Sequence, residues 1–348
     1  MKLTFRPFDL QLTHRWTVAS SLATGGKTIY PAVFVELSDA DGLVGRGEAA
    51  PSSRYQETAQ TCADFFARVE SARLSFDDVA GSMAYVEALS PGHYSPKGAL
   101  NIALLDGAAK RARKPLHDFL GLEFVEGRHV TSFTIGLDTP EMIRRKVSEA
   151  AVFPILKLKV GGPNDAENLA AVRTVAPHKT LRVDANEAWT TKEEALRRLE
   201  GLAADPHIEF VEQPMPATCS LPDQAWLKAR SPLPLMADES YLHAADLARC
   251  AEGFHAVNVK LCKTGGVTRG FEALSAARAA GLKTMLGCMI ESSLLTAAGA
   301  HLAALTDWLD LDGNLLITND PFTGLTSERG VMSFAGAAEP FGLRVCSR

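Results

Sequence analysis

From residue 128 onward, short apolar runs alternate with longer stretches in which apolar residues recur at helical spacing. The short runs predict eight strands: VTSFTIGL, FPILKLKVG, TLRVDAN, IEFVEQP, LPLMADES, AVNVKLC, LKTMLGCMI and WLDLDG. Seven helices separate them, among them PEMIRRKVSEAA and KEEALRRLEGLA. Strictly alternating strands and helices predict an α/β fold, a TIM-like (β/α)7β barrel over residues 126–321.

The first 125 residues show a different pattern, typical of a smaller α+β domain. LTFRPFDLQL alternates like a strand, and IYPAVFVELSDADGLVGRGEA predicts a hairpin that turns at Asp39–Gly42. Two helical stretches follow, and the second is expected to end at Gly121. Residues 322–348 contain no further strand–helix unit, so we expect them to pack back on this first domain. The length of 348 residues suits one barrel plus one capping domain.

Composition and charge indicate which kinds of molecule the protein is expected to bind. The net charge of −5 comes from interspersed charges with no basic stripe, which argues against a nucleic-acid partner. No charge-free apolar run is long enough to cross a bilayer, and the N-terminus lacks a signal-like apolar segment, so we expect no membrane partner and a cytoplasmic location. The six cysteines form no C-x-x-C pair and imply neither zinc nor a disulfide framework. A small-molecule substrate remains the best expectation.

Charged residues stand at the ends of the predicted barrel strands. From Lys159, successive positions follow at intervals of 25, 28, 26 and 25 residues, which is the length of one strand–helix repeat. The full set is Lys157, Lys159, Asp184, Glu212, Asp238, Lys263, Asp310 and Asp312. All strand C-termini of such a barrel meet on one face, where these barrels keep their active sites. The pattern therefore predicts one polar site at the barrel mouth.

Three consecutive strands end in a carboxylate, namely Asp184, Glu212 and Asp238. A buried carboxylate must be paired or metal-bound. Oxygen ligands without cysteine or histidine favour Mg²⁺, with Mn²⁺ as an alternative. Asn186 and Glu239 are expected to support these ligands from behind. The competing interpretation is that the carboxylates only pair with lysine or arginine, or cap helices.

Lys157 and Lys159 alternate with apolar residues, so both are expected to face the barrel interior near its mouth. Lys263, in LCKTGG, is predicted to lie on the sixth strand, which reaches the opposite wall of the barrel. Lysines close to each other and to a cation have a lowered pKa and can act as bases. A solvated charge is the alternative for any one of these lysines.

The chain resembles the muconate-lactonising subgroup of the enolase superfamily over nearly its full length. The resemblance rests on ALNIALLDGAAKRARKPLHDFLG, K-L-K, D-A-N, E-Q-P, D-E-S, K-T-G-G and G-C-M-I-E in this order. It implies a capping domain over a (β/α)7β barrel, Mg²⁺ on the three carboxylates, and removal of a proton alpha to a carboxylate. Asp310-Leu311-Asp312 is similar to the D-x-D of dipeptide epimerases, which receives the free ammonium of the substrate. A turn role for one of these two aspartates before Gly313 is the alternative.

The resemblance thus implies an isomerase that moves a proton between Lys159 and Lys263 on a dipeptide, of the L-Ala-D/L-Glu type or a related L-Xaa-L-Xaa. Thr134, Cys288 and Ile290 are expected to line the pocket. An o-succinylbenzoate synthase, an N-acylamino acid racemase or a muconate-type cycloisomerase is the alternative. A barrel that binds metal and ligand without turnover fits less well, since binding alone needs no lysine base. The epimerised side chain, assembly into homo-oligomers, and a role in peptidoglycan recycling or general peptide breakdown stay open.

Overall fold

The computed structural model describes residues 1–348. Its N-terminal part contains an antiparallel sheet in the order β1-β2-β3. These strands are β1 (Lys2–Trp16), β2 (Lys27–Ser38) and β3 (Val44–Ala49), followed by the helices α1 (Ala59–Ala67), α2 (Val79–Ala88), α3 (Tyr94–Arg111) and α4 (Leu116–Phe119). The hairpin turn predicted at Asp39–Gly42 is confirmed, because the Asp39 side chain accepts the backbone N–H groups of Asp41 and Leu43.

The second predicted helix of this domain is broken in two. It ends at Arg111 and restarts at Leu116, and the residues between include Arg113 with a φ of 53° and Pro115. A left-handed residue and a proline cannot continue an α-helix. Apolar residues keep their helical spacing through the break, so the sequence pattern did not indicate that the helix is interrupted.

Eight parallel strands follow in the sheet order β4 to β11, as predicted. They are β4 (Phe133–Ile135), β5 (Ile155–Lys159), β6 (Thr180–Asp184), β7 (Ile208–Glu212), β8 (Leu235–Ala237), β9 (Ala256–Lys260), β10 (Lys283–Gly287) and β11 (Trp308–Asp310). A parallel bridge between Thr131 and Leu309 brings the first and last of them together. The predicted barrel is confirmed.

Every connection between barrel strands contains a helix. These are α5 (Pro140–Glu149), α6 (Asp165–Val175), α7 (Lys192–Leu202), α8 (Leu221–Lys228), α9 (Leu247–Gly253), α10 (Leu261–Thr264), α11 (Val267–Ala279) and α12 (Ser293–Ala300), of which α10 and α11 share one connection. None of the helices has the length and apolar character needed to cross a membrane.

The last segment contains four short strands, β12 (Phe322–Thr323), β13 (Thr326–Glu328), β14 (Val331–Ser333) and β15 (Cys346–Ser347). Phe322 packs edge-on against Phe34 of β2 with ring centroids 4.9 Å apart, and the Leu343 N–H donates to Asp106 of α3 at 2.8 Å. The segment therefore contacts the N-terminal domain. The division after residues 125 and 321 stays a prediction.

Inside the barrel, apolar and polar side chains occupy different levels. Phe210, Met236, Ala256 and Met285 form a small buried cluster of their own. Phe210, Met236 and Met285 lie one or two residues before the ends of their strands and Ala256 begins β9, whereas Glu212 and Lys260 stand at strand ends. Because alternate residues of a strand point to the same face, this apolar layer forms a floor under the polar mouth.

Candidate active site

Strand register brings the predicted charged residues to one level. Lys159 pairs with Asp184, and Asp184 with Glu212, across three adjacent strands. On the other side, Lys260 and Asp310 both pair with Gly287. The charged residues at the ends of β5, β6, β7, β9 and β11 therefore face one another at the same end of the barrel.

The three predicted carboxylates form one cluster. Asp184, Glu212 and Asp238 are buried, and one oxygen from each lies within 4.8 Å of the others. Burial raises the pKa of Asp184, but the ammonium groups of Lys157 and Lys159 outweigh burial and hold it at about 2. Burial and the neighbouring Asp184 carboxylate raise the pKa of Glu212 to about 7. The ammonium groups of four lysines contact these three carboxylates, namely Lys157, Lys159, Lys260 and Lys263.

The residues around this cluster fit a hydrated Mg²⁺. All donor atoms are carboxylate oxygens, which is the ligand type that Mg²⁺ prefers. The amide of Asn186 donates to Glu239 at 3.3 Å, while Oδ1 of Asn186 and Oε2 of Glu239 are buried without a hydrogen-bond partner. Burial and the charge of Asp238 raise the pKa of Glu239 to about 8. Free acceptor atoms beside three carboxylates are suited to hold the waters of a divalent cation.

Lys157 and Lys159 both face the barrel interior, where the sequence predicted them. The Lys159 ammonium lies 2.6 Å from Asp184. Lys157 lies 2.8 Å from Glu212, 2.7 Å from Asp310 and 3.0 Å from Asp184, and its side chain is 2% exposed. Lys157 is therefore a fixed positive charge among carboxylates, while Lys159 contacts only one of them.

The placement of Lys263 on the sixth barrel strand is wrong. That strand ends at Lys260, and Lys263 lies in the four-residue helix α10. Its ammonium donates to the backbone oxygens of Asp238 and Asn258 as well as to the Asp238 carboxylate. Three acceptors, two of them backbone oxygens, therefore hold this ammonium in place. Lys263 connects α10 to the loop that carries Asp238, which is a structural role.

Lys260 takes the position that the sequence interpretation gave to Lys263. It is the last residue of β9, and its ammonium donates to Asp238 at 2.7 Å. Burial lowers its pKa, but the carboxylates of Asp238, Glu212 and Glu239 together outweigh burial and raise the pKa well above its usual value. The lowered lysine pKa that we expected is therefore not found at Lys260 in this structure. The alternation Asn258–Val259–Lys260 in AVNVK was the signal that could have identified it.

Asn258 is a second residue that the sequence analysis missed. Its amide donates to Glu212 at 2.8 Å and is fully buried. A Cβ on Gly287 of the next strand would lie 2.6 Å from the Asn258 side-chain oxygen. The glycine therefore leaves the space that this amide fills, and the amide holds Glu212 in place.

The two aspartates of the eighth strand differ in their contacts. Asp310 accepts from the Ser132 hydroxyl and from Lys157, each at 2.7 Å. Asp312 accepts the backbone N–H of Thr134 at 2.6 Å, and its other oxygen has a thiol contact with Cys288 at 3.6 Å. Burial and the Asp310 charge raise the pKa of Asp312 to about 6. Asp312 is the aspartate with an oxygen available for a cation.

The remaining predicted pocket residues separate into two groups. Thr134 and Cys288 contact Asp312 as described, but β10 ends at Gly287, so Cys288 and Ile290 lie in the loop after the seventh strand and not on it. Burial raises the pKa of the Cys288 thiol well above its usual value, which makes it a poor nucleophile. Ile290 is buried as part of the main apolar core.

Residues from the N-terminal domain reach this mouth. The Trp16 ring lies 5.8 Å from the Lys159 ammonium. Burial raises the pKa of Tyr55, and the charges of Asp238 and Glu239 raise it further. Arg54 donates to Glu187, in the loop after β6, at 2.7 Å. Two segments of the capping domain thus cover the carboxylates and Lys159.

Known proteins are similar to this chain over nearly its whole length. The chain is 56% identical over 345 residues to an L-Ala-D/L-amino acid epimerase from Pedosphaera parvula, covering 99% of each. The substrate-liganded L-Ala-D/L-Glu epimerase from Bacillus subtilis superposes with a TM-score of 0.91 at 26% identity, over 100% of this chain and 98% of that one. A dipeptide epimerase from Cytophaga hutchinsonii, complexed with Mg and D-Ala-L-Val, gives 0.90 at 27% identity over 99% and 95%.

Two family models together match most of the chain. Residues 10–121 match the N-terminal domain of the mandelate racemase / muconate lactonizing enzyme family. Residues 141–320 match the enolase C-terminal domain-like family. This range includes all three carboxylates, Lys159 and Lys260. The chain belongs to the mandelate racemase and muconate-lactonising enzyme family of the enolase superfamily.

Proposed function

We propose that this chain is a Mg²⁺-dependent dipeptide epimerase that inverts the α-carbon of the C-terminal residue by 1,1-proton transfer. The observation that carries the proposal is the arc Lys159–Asp184–Glu212–Asp238–Lys260 over five consecutive barrel strands. In a barrel of eight strands, the second and the sixth stand opposite each other, so the two lysines approach a bound molecule from opposite sides.

Opposed lysines are what inversion at carbon requires. One removes the α-proton from one face, and the other returns a proton to the opposite face, in either direction. We assign these roles to Lys159 and Lys260. Lys263 was the base expected from the sequence, but its ammonium is held by backbone oxygens and does not start from a strand end.

The α-proton of a carboxylate is too weakly acidic for a lysine unless the developing negative charge is stabilised. Mg²⁺ bound by Asp184, Glu212 and Asp238 supplies positive charge at that carboxylate. Lys157 adds a second, protein-borne positive charge, since the surrounding carboxylates outweigh burial and raise its pKa well above the usual value. Asn258 keeps Glu212 oriented through its 2.8 Å hydrogen bond.

We assign the free ammonium of the first residue to Asp312, because one of its oxygens contacts only the Cys288 thiol. An aspartate that binds the substrate ammonium also distinguishes a dipeptide epimerase from an o-succinylbenzoate synthase or N-acylamino acid racemase, because the substrates of those enzymes carry no ammonium at that end. We extend the proposal to a cytoplasmic enzyme that acts in peptide metabolism such as cell-wall peptide recycling, with assembly of identical copies as a further expectation. The relatives named for L-Ala-containing substrates support L-Ala dipeptides as the first to be tested.

A dipeptide library incubated with enzyme and Mg²⁺ in D₂O tests the proposal by mass spectrometry. Substrates of an epimerase gain one deuterium at the α-carbon and yield a second diastereomer without other change in mass. Glu212→Gln, which removes one of the proposed Mg²⁺ ligands, serves as the inactive control. Exchange confined to N-acylated amino acids, or water loss from any substrate, would replace the dipeptide assignment by one of the alternatives.

A further inference from the structure

Gln213 directly follows Glu212 at the end of β7, and its side chain is fully buried. The side-chain oxygen accepts the backbone N–H groups of Asp238 at 2.9 Å and of Ser240 at 3.1 Å. The side-chain nitrogen donates to the Met215 oxygen at 2.8 Å and to the Ser240 hydroxyl at 2.9 Å. The two donors and the two acceptor sites of this amide are therefore all in use.

The backbone of Gln213 is bonded to the two neighbouring strand ends. Its N–H donates to the Met236 oxygen of β8 at 2.8 Å, and its oxygen accepts the Glu187 N–H, from the loop after β6, at 2.9 Å. The three carboxylates of the site end the strands β6 and β7 or directly follow β8, namely Asp184, Glu212 and Asp238. A single residue thus contacts all three segments that carry the carboxylates.

Gln213 has a backbone conformation that needs support from its surroundings. Its φ is 37°, in the left-handed region that residues with a side chain rarely adopt, and the following proline favours an extended residue at this position. Such a conformation persists only where the surrounding structure holds it, and it occurs preferentially at functional sites. Here it directs the side chain to the N–H of Asp238, the first residue after the end of β8.

We propose that Gln213 is a positioning residue that sets the spacing of the three carboxylates for a small divalent cation. The inference rests on the proposed function, because it takes Asp184, Glu212 and Asp238 as the ligands of Mg²⁺. Mg²⁺ demands near-ideal octahedral geometry at about 2.0–2.1 Å, whereas Ca²⁺ accepts flexible sites at about 2.3–2.6 Å. Holding Asp238 at a fixed distance from Glu212 therefore favours Mg²⁺, and loosening it weakens the binding of Mg²⁺ more than that of Ca²⁺.

The test measures the Kd of Mg²⁺ and of Ca²⁺ for the purified enzyme by isothermal titration calorimetry. Gln213→Met keeps the length of the side chain but removes the amide. We expect it to weaken Mg²⁺ binding about tenfold or more, as loss of a group that orients a metal ligand does, and to weaken Ca²⁺ binding less. Gln213→Asn keeps the amide on a side chain that is one methylene shorter, and it should lower the preference for Mg²⁺ over Ca²⁺ in the same direction.

Gln224→Met is the matched control. Gln224 on α8 is also buried, but neither its side-chain oxygen nor its nitrogen has a hydrogen-bond partner. The substitution is chemically the same as Gln213→Met and removes no hydrogen bond, so both Kd values should stay as in wild type.

Unfolding temperatures of the metal-free variants separate positioning from general stability. If the Gln213 variants unfold at lower temperature but keep both Kd values, Gln213 only stabilises the fold and the inference is overturned. An equal loss of affinity for the two cations overturns it as well, because the spacing of the carboxylates would then not depend on Gln213. If Gln213→Met does not fold, the two Kd values of Gln213→Asn decide.

Failure of the proposed function gives different results. A wild-type enzyme that binds no Mg²⁺ would contradict the metal assignment itself. A wild-type enzyme that binds Mg²⁺ but epimerises no dipeptide would contradict the proposed reaction, while the Kd values of the variants would still decide the role of Gln213.

Discussion

Lys157 and Asp310 form an ion pair of 2.7 Å that joins the second barrel strand to the eighth. Both are buried, and Ser132 fills the remaining oxygen of Asp310 at 2.7 Å. Asp310 is therefore committed to holding the ammonium of Lys157 in place, and a second cation would find both of its oxygens occupied. The two aspartates of D-L-D consequently have different roles, with Asp310 positioning a lysine and Asp312 left for the substrate.

The first prediction concerns the cation. Chelation is expected to abolish epimerisation, and Mg²⁺ is expected to raise the unfolding temperature, because it binds the folded chain only; at a hundred times its Kd it adds about 2.7 kcal/mol to the free energy of unfolding. Glu212→Gln should remove both the activity and the Mg²⁺-dependent shift. Differential scanning fluorimetry with and without Mg²⁺ gives the shift, and Glu209→Gln, on the opposite end of β7, is the control. Full turnover after exhaustive chelation would contradict the metal assignment.

The second prediction separates Lys260 from Lys263. Lys159→Ala and Lys260→Ala should each abolish epimerisation yet keep α-proton exchange in D₂O for one enantiomer, opposite in the two variants, because each lysine serves one face. Lys263→Ala keeps both facing lysines but leaves backbone oxygens of Asp238 and Asn258 without their donor, at about 1–3 kcal/mol of stability.

For Lys263→Ala we therefore expect a lowered unfolding temperature and an equal loss of exchange for both enantiomers. NMR of each enantiomer in D₂O measures this directly. Retention of exchange for a single enantiomer in Lys263→Ala, with both enantiomers still exchanging in Lys260→Ala, would return the base role to Lys263.

These residues show what the sequence could predict. Lys159, Asp184 and Glu212 end clear apolar runs, and the strand repeat alone was enough to bring them together. Lys260 and Lys263 occur three residues apart in KLCK, and the choice depends on where the strand stops. The chain turns into α10 at Leu261, and the glycines that end this helix, Gly265 and Gly266, have φ near 100°.

Other features depend on contacts between distant segments. Asn258 reaches Glu212 only because Gly287 on the neighbouring strand has no side chain. The Lys157–Asp310 pair follows from closure of the barrel, since β5 and β11 are 153 residues apart at these positions. Trp16 reaches Lys159 through the docking of the capping domain. The local pattern of residues along the chain does not indicate contacts between segments so far apart in the sequence.

The third prediction concerns pH and Glu48. This carboxyl from β3 accepts from Ser292 and from the Leu295 N–H at the start of α12, and burial raises its pKa from 4.5 to about 7. Between pH 4.5 and pH 7, Glu48 binds more protons in the native state than in the unfolded state. The contribution of protonated Glu48 to the free energy of unfolding is therefore fully present below pH 4.5 and is lost as the pH rises to 7. The total is about 3 kcal/mol, at 1.36 kcal/mol for each pKa unit.

Glu48→Gln removes this titration. Urea unfolding at pH 5, 6, 7 and 8 should show wild type losing stability with rising pH more steeply than Glu48→Gln, with the two curves parallel above pH 7. Glu36→Gln, on the neighbouring strand at the surface, is the control and should follow wild type. Parallel curves for Glu48→Gln and wild type from pH 5 to 7 would show that this carboxyl does not titrate there.

The final prediction concerns Asp312 and the nature of the substrate. N-acetylation removes the charge that this buried carboxylate would receive and leaves its Cys288-facing oxygen without a cationic partner, at about 3 kcal/mol. Since 1.4 kcal/mol is tenfold, the free dipeptide should exceed its N-acetyl form about a hundredfold in kcat/KM. Asp312→Asn should shrink that ratio toward one, mainly through loss of activity on the free dipeptide. Asp310→Asn should lower the rate on both substrates and keep the ratio, because it displaces Lys157 and leaves Asp312 in place. Equal wild-type rates on the two substrates would contradict the dipeptide assignment but not the metal site or the opposed lysines. If the ratio of free to N-acetylated dipeptide is lost in Asp310→Asn and kept in Asp312→Asn, the roles of the two aspartates are exchanged.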